Sequence, residues 1–92
     1  MIVTFRSKLL KRFWERSDAS KLPQDRVARI TMILDRLDAS VKPEDLNLPG
    51  LQFHQLAGKS KGRYAVSVSG NWRITFAWDG ENATDVDFED YH

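Results

Sequence analysis

Near one end the chain reads Asp90-Tyr91-His92, which sets a carboxylate, a phenol and an imidazole in consecutive positions with the α-carboxylate beside them. Groups of this kind exchange protons, and a tail pinned to the domain by Phe88 and Tyr91 would act as a proton-transfer site. The second histidine, His54, lies in Leu51-Gln52-Phe53-His54-Gln55-Leu56. If Leu51 and Phe53 face a core, alternation turns His54 the other way. The same rule applied to Trp72, Ile74, Phe76 and Trp78 turns Arg73 and Thr75 outward. Two imidazoles, Asp90 and Arg73 offer acid, base and cation for proton-transfer chemistry without a metal. Residue types alone do not say which group is acid and which is base.

A basic loop, Gly58-Lys59-Ser60-Lys61-Gly62-Arg63, sets three cations among two glycines, so that side chains and backbone amides can both approach a phosphate. Its glycine spacing and ending are not those of a nucleotide-binding P-loop.

Positioning these groups falls to a simple succession of elements. Ile2, Val3 and Phe5 form a β-favouring run, predicted to be an opening strand. From Ser7, Leu9, Leu10, Phe13 and Trp14 fall on one helical stripe opposite Lys8, Lys11, Arg12, Glu15 and Arg16. Pro23 suits the first turn of a second helix, whose stripe runs Val27, Ile30, Ile33, Leu34, Leu37 and which ends near Ala39. Pro43 to Leu46 adds a helical turn. After Pro49-Gly50 the period changes from 3.6 to 2, with strands expected over 51–56, 63–68, 72–78 and 83–88 and turns at Gly70-Asn71 and Asp79-Gly80. Short connections make an antiparallel meander, and two helices before it predict an α+β fold: helices on one face of the sheet, the other face open, all within one domain over 1–92.

Composition narrows the function. Without cysteine there is no thiolate nucleophile or Cys-bound zinc, and having only two histidines argues against a metal enzyme, so no cofactor and no metal are expected. No segment approaches the ~20 apolar residues of a membrane span, and the opening run is too short for a secretory one, so a cytoplasmic protein is expected. The net charge of +1 conceals an uneven distribution: residues 1–63 carry 13 Lys and Arg against 7 acids, and residues 64–92 one Arg against 6 acids. Contact with nucleic acid is allowed by this and not demonstrated.

Three stretches, Phe53-His54-Gln55-Leu56-Ala57-Gly58, Gly70-Asn71-Trp72-Arg73-Ile74-Thr75-Phe76 and Asp87-Phe88-Glu89-Asp90-Tyr91-His92, resemble the HigB toxins of the RelE superfamily in type and order. The resemblance runs the length of the chain. It implies a RelE-like fold and a ribosome-dependent endoribonuclease that cuts mRNA in the ribosomal A site, inhibits translation and is neutralised by a HigA-like antitoxin. Operator DNA would be met only through that antitoxin. By motif, His54, Arg73, Asp90, Tyr91 and His92 would be catalytic, and Lys59, Lys61, Arg63 and Asn71 would hold RNA. Metal-free RNA cleavage needs a base for the 2′-OH, an acid for the leaving 5′-oxygen and a cation for the charge that builds on phosphorus, roles that the two histidines, Asp90 and Arg73 can fill. His54 or Asp90 is expected near the 2′-OH and His92 near the leaving oxygen, with Tyr91 stacking on a base or donating a hydrogen bond. The family often has lysine where this chain has Ala57, so Lys59, Lys61 or Arg63 would have to compensate and cleavage could be weaker. The alternative is a module of the same fold that docks antitoxin, ribosome or RNA without cutting.

Overall fold

A computed structural model describes residues 1–90. Helix α1 (Lys8–Arg16) starts where Ser7 Oγ accepts the backbone N–H of Leu10 at 3.2 Å, and it stops at Ser17, whose positive φ of 56° ends the helix. Leu10 is fully buried, with Phe13 and Trp14 half-buried beside it, whereas Leu9 stays exposed on the flank. The stripe expected for this helix is therefore narrower by one residue. Pro23 precedes a 3₁₀ turn (Gln24–Arg26) that leads into helix α2 (Val27–Ala39). Ile30, Ile33, Leu34 and Leu37 of α2 are fully buried, as their spacing requires. Pro43–Leu46 forms the expected single helical turn.

The sheet is a four-stranded antiparallel meander in the order β1-β2-β3-β4, made of β1 (His54–Gln55), β2 (Arg63–Ser69), β3 (Trp72–Trp78) and β4 (Ala83–Asp90). Val66, Val68, Ile74, Phe76, Ala83 and Val86 join the α2 stripe and Leu10 in one hydrophobic cluster, so both helices cover the same face. This is the predicted α+β arrangement. Two expected strands are shorter than their patterns. Residues 51–56 pair only at His54 and Gln55, because Gln52 takes φ 51° and breaks the extended run. Residues 1–6 lie parallel to β4 and bridge it at Ile2 with Ala83 and at Phe5 with Val86, interrupted between.

The interruption has a cause in β4. Between the Thr75–Asp87 and Ala77–Thr84 pairs β4 has an extra residue, and Asp85 sits there with φ 50°. The bulge reverses side-chain parity along the strand. Ala83 upstream and Val86 and Phe88 downstream can thus all serve the core face, which leaves Asp87 and Glu89 on the open one. A second register shift, at Ser67/Ser69 in β2, precedes the two-residue turn Gly70-Asn71, where glycine supplies the positive φ that such turns need.

The β3–β4 turn depends on a charged side chain. Asp79 Oδ1 accepts the backbone N–H groups of Glu81 (2.9 Å) and Asn82 (2.7 Å), and these bonds hold its carboxyl below the ordinary 3.8. A lowered native pKa stabilises the fold fully above the unfolded value and loses that contribution as pH falls through the native one. Asp79→Ala is expected to lower the urea midpoint at pH 7, with the difference from the parent shrinking once the pH drops below 3.8. A difference that stays constant down to pH 2.5 would contradict this account of the turn.

Candidate functional site

His54 stands on a strand of only two residues, so other contacts must hold it. Phe53, just before β1, supplies one, stacking on Tyr64 at 5.7 Å, and Tyr64 stacks in turn on Phe76 at 5.6 Å, giving an aromatic row that continues across the core face of β2 and β3. Arg29 of α2 supplies another. Its guanidinium donates to the carbonyls of Gly50 (2.7 Å) and Ser67 (3.0 Å), tying the segment before His54 to the register shift of β2. Ser67 N–H closes the same join by donating to Leu51 O at 2.7 Å.

These supports frame a cleft of about 260 Å³ at one end of the sheet, lined by Gln52, His54, Ser67, Asn71, Trp72 and Arg73 among others. His54, Asn71 and Arg73, three of the residues singled out by sequence, thus share one cavity. The His54 ring is exposed, and its Nδ1 lies 2.9 Å from Gln52 O. A carbonyl only accepts, so Nδ1 carries the proton in that bond and Nε2 is the nitrogen left for chemistry. The positive φ of Gln52 that shortens the strand also places this carbonyl beside the ring.

Arg73 faces Glu89 across the β3–β4 pair, its Nη2 4.0 Å from Glu89 Oε1, with the arginine side chain 18% exposed. The other carboxylate oxygen, Oε2, accepts a short hydrogen bond from the Thr75 hydroxyl. Thr75 Oγ1 accepts in its turn from Arg63 Nη2 at 2.8 Å, and the same Nη2 donates to Asp85 O at 2.8 Å. The open face therefore carries a continuous polar chain from Asp85 through Arg63, Thr75 and Glu89 to Arg73. Beneath the side chains that lie over it, Thr75 is fully buried.

This chain revises the expectation for Arg63. At 8% exposure it is an internal cation of the sheet face and not a ligand for RNA phosphate. Burial, then the nearby Arg6, push its pKa down, while Glu89, Asp87 and Asp85 push it up. Lys59 and Lys61 are exposed on the β1–β2 connection and do not line the cleft. Asp90 pairs with Trp72, and alternation along β4 sets it on the face opposite Arg73 and Glu89, although at the sheet end that holds the cleft. Tyr91 and His92 lie outside the described residues. Thr75 and Glu89 were missed as site residues. The available signal was the 2-residue spacing from Arg73 to Thr75 and from Asp87 to Glu89, which places polar groups in register on one face. Among the described residues, no three His, Cys, Asp or Glu side chains converge as a metal site would require.

Residues 3–92 match the family described as the RelE-like toxin of the type II toxin-antitoxin system HigB. The chain is 35% identical to Endoribonuclease HigB of Proteus vulgaris over 92 residues, covering all of both chains. It is also 31% identical to Toxin HigB-1 of Vibrio cholerae serotype O1 over 80 residues, which cover 85% of this chain and 84% of that one.

The polar chain makes Arg63 a stability residue. Arg63→Met keeps much of the volume but leaves Thr75 and the Asp85 carbonyl without their donor, and it strands the acids opposite. A loss of about 2–4 kcal/mol is expected from urea unfolding, in the range for breaking charged hydrogen bonds at a buried site. An unchanged midpoint would return Arg63 to the role of a surface cation.

Proposed function

The chain belongs to the HigB family of RelE-like toxins of type II toxin-antitoxin systems, and on that premise we propose that it is an endoribonuclease cutting mRNA in the ribosomal A site. The observation that carries this reading is the cleft that brings His54, Asn71 and Arg73 together. With Nδ1 bonded to Gln52 O, His54 presents Nε2 as a base for the ribose 2′-OH. The 2′-oxygen attacks phosphorus and the bond to the 5′-oxygen breaks, leaving a 2′,3′-cyclic phosphate and a 5′-hydroxyl. Arg73 offsets the negative charge that gathers on the phosphoryl oxygens, and Asn71 offers an amide to the phosphate or a base. The adjoining Tyr91 and His92 complete the proposed set, with His92 as the acid for the leaving oxygen and Tyr91 against a base, while Asp90, on the other face of β4 at this end of the sheet, serves through these neighbours and not as the base.

Ribosome dependence follows from how little the cleft offers free RNA. Among the described residues that line it, Arg73 is the one cation, Lys59 and Lys61 stand away from it, and Ala57 has no charge to contribute. Affinity for RNA is set mainly by phosphate neutralisation, so a site with one guanidinium holds a free strand weakly. On the ribosome, the message would arrive already oriented, and that proximity would replace binding energy. A toxin of this family has a cognate antitoxin, here expected to be HigA-like, and a protein that acts on ribosomes would work in the cytoplasm.

Purified protein is expected to cut ribosome-bound mRNA efficiently and the same free RNA poorly. Arg73→Ala and His54→Ala should each reduce single-turnover cutting by about 100-fold or more while circular dichroism shows an unchanged fold. Equal rates on the two substrates would contradict ribosome dependence. Stable docking on ribosomes without any cleavage would instead identify a binding module of the same fold.

A further inference from the structure

The ribonuclease reading leaves the polar chain behind Arg73 unused, although it holds the least exposed charge of the open face. Arg73 has to meet a phosphate in one orientation. A long side chain at the mouth of a cleft has many rotamers, and each misdirected one removes its charge from the reaction. Glu89 stands opposite it in the β3–β4 register, with one carboxylate oxygen toward the Arg73 guanidinium and the other taken by Thr75. Left alone, such a carboxylate would also cancel the charge that a phosphate needs. Arg63 answers that objection. The Thr75 hydroxyl has one proton, which goes to Glu89, and its lone pair accepts from Arg63 Nη2, so the bonds run in one direction from buried cation to carboxylate and polarise each other. The Glu89 carboxylate is thus engaged from both sides, through Thr75 by the buried cation and directly by Arg73 at the cleft end.

Resting on that ribonuclease reading, we propose that Glu89 is the positioning residue for Arg73, anchored through Thr75 to the buried Arg63. The β4 bulge is part of the device, since it puts Glu89 on this face and frees the Asp85 carbonyl to hold Arg63.

The test uses full-length Thr75→Val, Thr75→Ser, Glu89→Gln, Arg73→Ala and the Thr75→Val/Arg73→Ala pair, each checked for a native circular dichroism spectrum. Single-turnover cutting of ribosome-bound mRNA is measured against ribosome concentration. Thr75→Val should slow the chemical step about 10- to 100-fold, with the half-saturating ribosome concentration within about 2-fold of the parent and with Thr75→Ser restoring the rate. Adding Thr75→Val to Arg73→Ala should cost nothing further, because two residues acting as one unit are not additive. Glu89→Gln keeps the shape and a hydrogen-bond acceptor, and it repeats the test if Thr75→Val folds poorly. A second readout needs no activity: the Arg73 Nε–H signal in nitrogen-15 NMR, assigned by its loss in Arg73→Ala, should show a lower order parameter in Thr75→Val and Glu89→Gln. Parental rates and parental Arg73 order in both variants, or losses that multiply in the pair, would overturn the inference. A parent protein that does not cut at all would overturn the ribonuclease reading alone, and the Arg73 order parameter would still decide the positioning one.

Discussion

Arg63 is the charge around which the open face is organised. A guanidinium at 8% exposure is tolerated only where hydrogen bonds and nearby acids offset its burial. Here the Asp85 carbonyl and the Thr75 hydroxyl both accept from Nη2, Nη1 is buried without a hydrogen-bond partner among the described residues, and Glu89, Asp87 and Asp85 supply the negative field. Through Thr75, the same group fixes one oxygen of Glu89, whose other oxygen faces Arg73. Core and site are therefore not separate structures. The chain that settles a buried cation also reaches the residue at the cleft.

Two departures from regular strand geometry make that possible. In β4 the extra residue at Asp85 exchanges the two faces of the strand, so that Val86 and Phe88 enter the core while Asp87 and Glu89 turn to the open side. In β2 the shift beside Ser67 exposes a carbonyl that Arg29 grips together with Gly50. The first device selects which acids meet the arginines. The second gives the segment before His54 its anchor on β2. Bulges near active sites have this use generally, because they re-aim side chains without unpairing the rest of a sheet.

The sequence made most of the frame legible, since period 3.6 in α2 and period 2 in β2 and β3 follow directly from burying one face. The outward parity of His54 and Arg73 came from the same rule. What could not be read were the places where one residue changes conformation. Gln52 at φ 51° cuts a six-residue alternation down to a two-residue strand, and Asp85 at φ 50° inverts the parity of β4, although neither is glycine. Counting alternation from Ala83 without the bulge would have set Val86 and Phe88 opposite to their observed face. Arg63 was misread for a related reason: beside two exposed lysines it resembles a third surface cation, and its burial depends on pairing with β3 and β4, far away in sequence. The grouping of His54, Asn71 and Arg73 was legible only as a motif likeness, and the cleft gives it a physical basis.

In this account the open face cuts RNA by moving protons to and from the message's own ribose, so the nucleophile is the substrate's 2′-oxygen. The most direct test is a ribosome-bound mRNA carrying a single 2′-deoxynucleotide on the 5′ side of the scissile phosphate, compared with the all-ribose message. No cutting at the deoxy position, with a 2′,3′-cyclic phosphate and a 5′-hydroxyl at the cut in the all-ribose message, is the expected result. Cutting at an equal rate at the deoxy position, or a 5′-phosphate product, would show that water is the nucleophile and would contradict the account.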